Sequence, residues 1–256
     1  MVREESLQER SERIRTAEGA FLGGPYKDFE RVGRHVFEVR LEEDLRPSSR
    51  VLDVGCGALR VGYWLMRFLD PGCYFGLEPN RDMLNLGLSK LVEPEVIERA
   101  GAHFAHNDDF DFSVLGERFD FVLARSIWTH SSKAQIRTML SSFARTGAPG
   151  GVFLTSYCPA SAWFRLGRRW KPVEQLGMTR PVLRLLPALA RLPAIGASQY
   201  EGEQWVGRSH RSDVGGGARH SLRWIADEAR QRGLTAELMP YPVVNKQYWL
   251  RIKFAS

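Results

Sequence analysis

Arg50-Val51-Leu52-Asp53-Val54-Gly55-Cys56-Gly57-Ala58-Leu59-Arg60 is the stretch that decides the fold of this 256-residue chain. The apolar residues predict a buried strand, Gly-x-Gly a tight turn, and the residues from Leu59 the start of a helix. In a strand–glycine turn–helix unit, backbone N–H groups face outward at the helix start and a small ligand can approach the main chain. The dinucleotide fingerprint G-x-G-x-x-G needs a glycine where this chain has Arg60. Asp53, just before the glycines, sets a carboxylate beside the crevice. That suits a cationic amino-acid moiety better than a pyrophosphate.

Four further segments follow in order. Cys73-Tyr74-Phe75-Gly76-Leu77-Glu78 predicts a second strand ending in an acid 21 residues beyond Gly57, where a carboxylate can accept hydrogen bonds from ribose hydroxyls. Pro79 and Asn80 open the next helix. His103-Phe104-Ala105-His106 predicts a third strand running into Asn107-Asp108-Asp109. Phe119 to Ala124 predicts a fourth, followed by Arg125-Ser126-Ile127-Trp128-Thr129-His130 leading into a helix from about Lys133 to Arg145. Pro149-Gly150-Gly151 turns into a fifth strand.

This series resembles the class I S-adenosylmethionine-dependent methyltransferases of small molecules, over roughly residues 50 to 156. The resemblance implies an α/β, Rossmann-like doubly wound sheet, mostly parallel with an antiparallel last strand, and here a helical insertion after strand five. It implies S-adenosyl-L-methionine as cofactor, with Asp53, Gly55, Cys56, Gly57, Glu78, Pro79, Asn80, Asn107, Asp108, Asp109, Arg125 and Ser126 as cofactor-binding candidates. A polar side chain after strand three reads the adenine amino group in that family. Asp108 is favoured for this over Asn107 and Asp109, on its distance before Phe119-Asp120.

The rest of the chain reads as elaboration of a single domain. Residues 1–48 are an N-terminal helical segment, with a charged surface helix to about residue 20 and an amphipathic helix from about Asp28 to Leu45. Residues 49–156 are the cofactor core, with helices from Leu59 to Phe68 and from Glu93 to Arg99. Residues 157–218 are a basic lid insertion, and 219–256 a helix from Ser221 to Arg232 with strands Leu234–Met239 and Gln247–Phe254. The composition, 43% hydrophobic and 26% charged, is that of a globular domain rather than a disordered chain. Cys56, Cys73 and Cys158 have neither disulfide nor zinc spacing. His103 and His106, three apart, point to opposite faces of a strand, so no metal is expected. The amino-terminal residues carry no apolar signal core and no segment approaches membrane-spanning length, which predicts a cytoplasmic protein.

Charge is localised. Between Tyr157 and Gly196, seven cations face one acid, Glu174, so this segment carries the whole net charge of +6. Trp163, Arg165, Arg168 and Arg169 are the substrate-binding candidates: aromatics interleaved with cations suit an anionic or aromatic acceptor, or an anionic lipid surface for a lipid-linked acceptor. The alternative is a segment packed on its own domain with its arginines in solvent. One local patch does not supply the phosphate-tracking surface of a duplex DNA enzyme. After strand four, Ala124-Arg125-Ser126-Ile127 replaces the Asn/Asp-Pro-Pro-aromatic run of base-amine methyltransferases. His130 is the candidate general base, and a structural role at the helix start is its favoured alternative. Two rival functions stand beside small-molecule O- or N-methylation. One is a non-catalytic relative that binds cofactor or a partner; the other is aminopropyl transfer, which usually meets extra acids that Arg125-Ser126 does not offer.

Overall fold

The computed structural model describes residues 5–20, 22–23, 26–160, 218–240 and 247–255. Its strands are β1 Val51–Val54, β2 Tyr74–Leu77, β3 His103–Ala105, β4 Phe119–Ala124, β5 Gly147–Tyr157, β6 Leu234–Leu238 and β7 Tyr248–Phe254. Among the described residues they form one sheet in the order β3-β2-β1-β4-β5-β7-β6. Strands β1 to β5 pair in parallel, and β7 lies antiparallel to both β5 and β6. This is the mostly parallel Rossmann-like sheet expected, with the last strand inserted antiparallel. Strand order reverses at β1, between β2 and β4, and such switch points open a crevice at the carboxyl ends of the strands.

The helices are α1 Leu7–Glu18, α2 Phe29–Leu41, α3 Gly62–Phe68, α4 Arg81–Leu86, α5 Pro94–Ala100, α6 Lys133–Thr146 and α7 Leu222–Arg230. Strand alternation sorts the core into two layers. Val51, Phe121, Leu123, Val152, Leu154 and Trp249 pack with Val32 and Val36 of α2 and Leu65 and Met66 of α3. Leu52, Val54, Val122, Phe153 and Ile252 pack with Ile136, Met139 and Phe143 of α6 and Ile225 and Ala229 of α7. Each fully buried side chain of this size contributes roughly 1.5–3 kcal/mol. Helix starts follow side-chain caps: Ser6 with Glu9 on α1 and Ser132 with Gln135 on α6 form reciprocal capping boxes.

Several boundaries differ from the sequence reading, among them the end of α2 at Leu41 rather than near Leu45, and two others bear on the glycine turn and strand five. The helix expected from Leu59 starts at Gly62, because Leu59 is left-handed at φ 61° and ends the glycine turn rather than opening the helix. Strand five begins earlier, at Gly147: Phe119 pairs with Gly147 and Phe121 with Val152, so the Pro149-Gly150 turn is a bulge inside the strand. Among the described residues no helix is long and apolar enough to cross a membrane. Trp163, Arg165, Arg168 and Arg169, with most of the basic insertion, lie outside the described residues.

Candidate functional site

The glycine turn closes directly on the neighbouring strand. The N–H groups of Gly55 and Cys56 donate to the Leu77 carbonyl at 2.7 and 3.3 Å. Gly55 and Gly57 have φ of 69° and 55°, a region open to glycine and strained for other residues. A Cβ on Gly55 would run into Ile127 Cδ1, and one on Gly57 would lie 3.2 Å from Met83 Sδ. The turn therefore leaves main chain, not side chain, at the crevice.

Glu78 is held from both sides. Its Oε2 accepts from Gly57 N–H at 3.0 Å and its Oε1 from Asn80 N–H at 2.8 Å. Its own N–H donates to the Ala105 carbonyl at 3.0 Å, and its carbonyl oxygen lies 2.9 Å from His106 Nδ1, which is the donor. Asn80 in turn caps α4, its Oδ1 accepting from Met83 N–H at 3.1 Å, with Pro79 half-buried between the two. Both carboxylate oxygens are thus oriented by backbone N–H groups, one from the glycine turn and one from the start of α4.

Asp53 has a different environment. It is 3% exposed, its Oδ2 accepts from Tyr74 Oη at 3.1 Å, and burial pushes its carboxyl up to about 7, against the Tyr74 hydrogen bond and the Arg40 charge. Arg40 is buried over the Trp249 ring at 4.7 Å and donates to the Val36 carbonyl. Cys56 is also buried, and desolvation raises its thiol well above the ordinary range, so it is unreactive.

The loop after β3 is internally bonded. Asn107 Nδ2 donates to Asp109 Oδ1 and, at 3.0 Å, to the Asp111 carbonyl. Asp109 Oδ1 also accepts from Asp111 N–H at 3.0 Å, while Asp108 is exposed. Asn107 Oδ1 is buried without a partner among the described residues.

Beyond β4, Ser126 takes φ 62° and its N–H donates to Ser156 Oγ at 2.8 Å. Gln247, just before β7, accepts on Oε1 from Arg125 Nη1 at 2.8 Å and from Ser156 Oγ at 2.7 Å; its Nε2 donates to Ser126 Oγ at 2.9 Å. The turn continues with Thr129 Oγ1 donating to the Ser126 carbonyl at 2.8 Å and His130 N–H to that of Ile127 at 3.0 Å. His130 is half-buried, two residues before the Ser132 cap of α6. Among the described residues no three His, Cys, Asp or Glu side chains group as a metal site.

Of the expected residues, the structure gathers Gly55, Gly57, Glu78 and Asn80 by direct hydrogen bonds or turn geometry, and Arg125 with Ser126 through Gln247. Asp53 faces Tyr74, and Asp108 faces solvent. Sequence reading missed Tyr74, His106, Ser156 and Gln247. Gln247 lies 122 residues from Arg125, so no local signal connects them.

Residues 51–151 match the family model of a methyltransferase domain. A fatty-acid O-methyltransferase of Mycolicibacterium smegmatis is 31% identical over 107 residues, which cover 42% of this chain and 36% of that protein's length. Among solved structures, magnesium protoporphyrin IX methyltransferase from Synechocystis PCC 6803 with bound S-adenosylmethionine superimposes with a TM-score of 0.55 at 15% identity, covering 95% of this chain and 90% of that one. Human N-acetylserotonin methyltransferase with the same ligand gives 0.54 at 14% identity, covering 98% and 57%. At such identities the superpositions establish the fold.

Proposed function

We propose that this chain, whose residues 51–151 match the model of a methyltransferase domain, is a class I S-adenosylmethionine-dependent enzyme that transfers a methyl group from S-adenosylmethionine to a small-molecule acceptor, at oxygen or nitrogen. The observation that carries this reading is Glu78, whose two oxygens are fixed by the N–H groups of Gly57 and Asn80 beside a side-chain-free glycine turn. The cofactor fits these groups. Glu78 takes the ribose hydroxyls, the main chain of Gly55, Cys56 and Gly57 lies against the methionine arm, and Pro79 and Asn80 flank the ribose. Asp108, with Asn107 and Asp109 beside it, takes the adenine amino group; Asp53 serves the amino end directly or through the turn it underlies; Arg125 and Ser126 border the methyl-transfer side. When bound, the cofactor supplies an activated methyl on sulfonium. The protein's part is to align acceptor and methyl, exclude water and, where the acceptor needs it, remove a proton.

The relative named as a fatty-acid O-methyltransferase supports oxygen over nitrogen as the acceptor atom. Calorimetry with S-adenosylmethionine and S-adenosylhomocysteine tests the cofactor: affinity near micromolar, about −8 kcal/mol, is expected. No heat and no thermal shift with either compound would sink the proposal. Screening small molecules by mass spectrometry for a one-methyl gain then identifies acceptors.

A further inference from the structure

Arg125 carries a charge that the described residues do not neutralise. It stands at the carboxyl end of β4, where the chain leaves the sheet. Its Nη1 is anchored at 2.8 Å on Gln247 Oε1, a neutral amide oxygen already shared with Ser156 Oγ at 2.7 Å. Its Nη2 is buried and has no hydrogen-bond partner among the described residues, and no carboxylate among them pairs with it. Burial pushes the guanidinium down to about 10, opposed by the Cys158 sulfur rather than by a carboxylate.

A half-buried cation with one donor tethered and another buried without a partner is costly unless an anion completes it. The tether matters as much as the vacancy. Gln247 is fixed through Ser126 and Ser156, so the guanidinium plane is set before any ligand arrives, which favours the fork geometry of a carboxylate. Ser126, next to it, is held at φ 62°, a strained conformation that recurs at ligand-binding turns.

We propose that Arg125, oriented by Gln247, is a carboxylate-binding subsite at the methyl-transfer side of the crevice. This rests on the methyltransferase reading above and adds to it a class of acceptor, carboxylic acids. Two sources carry the same chemistry: the acceptor's carboxylate and the α-carboxylate of the cofactor itself. The subsite takes either anion, and the test separates them.

Wild type, Arg125→Met and Arg125→Lys are titrated calorimetrically with S-adenosylhomocysteine and with methylthioadenosine, which keeps the adenosine but lacks the amino-acid arm. With S-adenosylhomocysteine saturating, each is then titrated with octanoate, benzoate and octan-1-ol. For an acceptor subsite, both nucleosides bind all three proteins within about twofold. Octanoate or benzoate then binds wild type, weakens about tenfold or more in Arg125→Met, a loss of about 1.4 kcal/mol, and recovers in part in Arg125→Lys. Octan-1-ol does not discriminate. If S-adenosylhomocysteine weakens about tenfold in Arg125→Met while methylthioadenosine does not, the subsite stands and its anion is the cofactor's. If no carboxylate-bearing ligand distinguishes Arg125→Met from wild type, with both melting alike, the subsite is overturned. Binding of S-adenosylhomocysteine to wild type in that last case leaves the cofactor proposal intact, so the two failures are distinct.

Discussion

The carboxyl ends of β1 and β2 and those of β4 and β5 lie side by side in one sheet, yet they treat their polar groups in opposite ways. At β1 and β2, Glu78 is tied on both oxygens to backbone N–H groups and Asp53 is bonded to Tyr74. At β4 and β5, the donors converge on one neutral oxygen, Gln247 Oε1, and a guanidinium nitrogen is left without a partner among the described residues. A site made of backbone and short acids on strand ends is complete before its ligand arrives. A site whose buried charge is half-used is completed by what binds. The first suits a ligand that is the same in every turnover, and the second suits one that differs from enzyme to enzyme.

Gly57→Asp attacks the first region most directly. At φ 55° a side chain is strained, its Cβ would meet Met83 Sδ at 3.2 Å, and the new carboxylate would stand beside Glu78. Affinity for S-adenosylmethionine is expected to fall by more than about 10³-fold, about 4 kcal/mol, in calorimetry on protein whose melting transition persists. Retained binding would mean that the glycine turn is not the ligand's seat, and the contrast between the two ends would collapse.

Asp53→Asn probes the same end by pH. With its carboxyl pushed up to about 7 by burial, Asp53 is protonated in the folded state and ionised in the unfolded state between pH 4 and pH 7. The folded state binds more protons there, so this group's contribution to stability is largest near pH 4 and is lost as pH rises toward 7, by at most about 1.4 kcal/mol per unit. The asparagine variant lacks that slope. The difference between wild-type and variant unfolding free energies, measured by urea titration from pH 4.5 to 7.5, should therefore change by a few kcal/mol. A flat difference would show that Asp53 stays ionised on folding, with Arg40 as its counter-charge.

How legible these regions were in the sequence follows the same divide. Val51 to Gly57 and Glu78 declare themselves because strand, turn and acid lie within one βαβ unit, where 21 residues of spacing encode a contact. The sheet class followed from the alternation of strands and helices. The other end is built across the chain. Gln247 meets Ser126 and Ser156 only because β7 inserts antiparallel against β5, and residue spacing carries no trace of that register. Tyr74 reads as an ordinary apolar strand residue, and its bond to Asp53 depends on which strand lies beside β1. Leu59 reads as helix because nothing in its side chain announces a left-handed backbone.

Glu78→Gln is a finer test. Glutamine keeps the size but presents one carbonyl oxygen where the turn offers two N–H groups, so the amide end faces a donor. Cofactor affinity is expected to drop by about 1.5–3 kcal/mol, the worth of a charge-assisted hydrogen bond. Methylthioadenosine should lose as much as S-adenosylmethionine, because both carry the ribose. A loss confined to S-adenosylmethionine would move Glu78 from the ribose to the methionine arm.

The smallest effect is expected at His130, in the turn between β4 and α6. Its backbone N–H closes a turn on the Ile127 carbonyl at 3.0 Å, and that bond survives truncation of the side chain. Neighbouring Thr129 and Ser131 are bonded to the carbonyls of Ser126 and Ile127, so the turn is held from several points. A carboxylate acceptor bound at Arg125 would be ionised already near neutral pH and would need no base. His130→Ala should then keep turnover within about threefold and lower the melting temperature slightly, measured as initial rates with an acceptor from the one-methyl-gain screen alongside a thermal melt. Removal of a working general base would instead cost about 10²–10⁴ in rate with cofactor affinity unchanged. That outcome would make the acceptor a protonated alcohol or amine, and would place the chemistry of the β4 end on His130 rather than on the charge of Arg125.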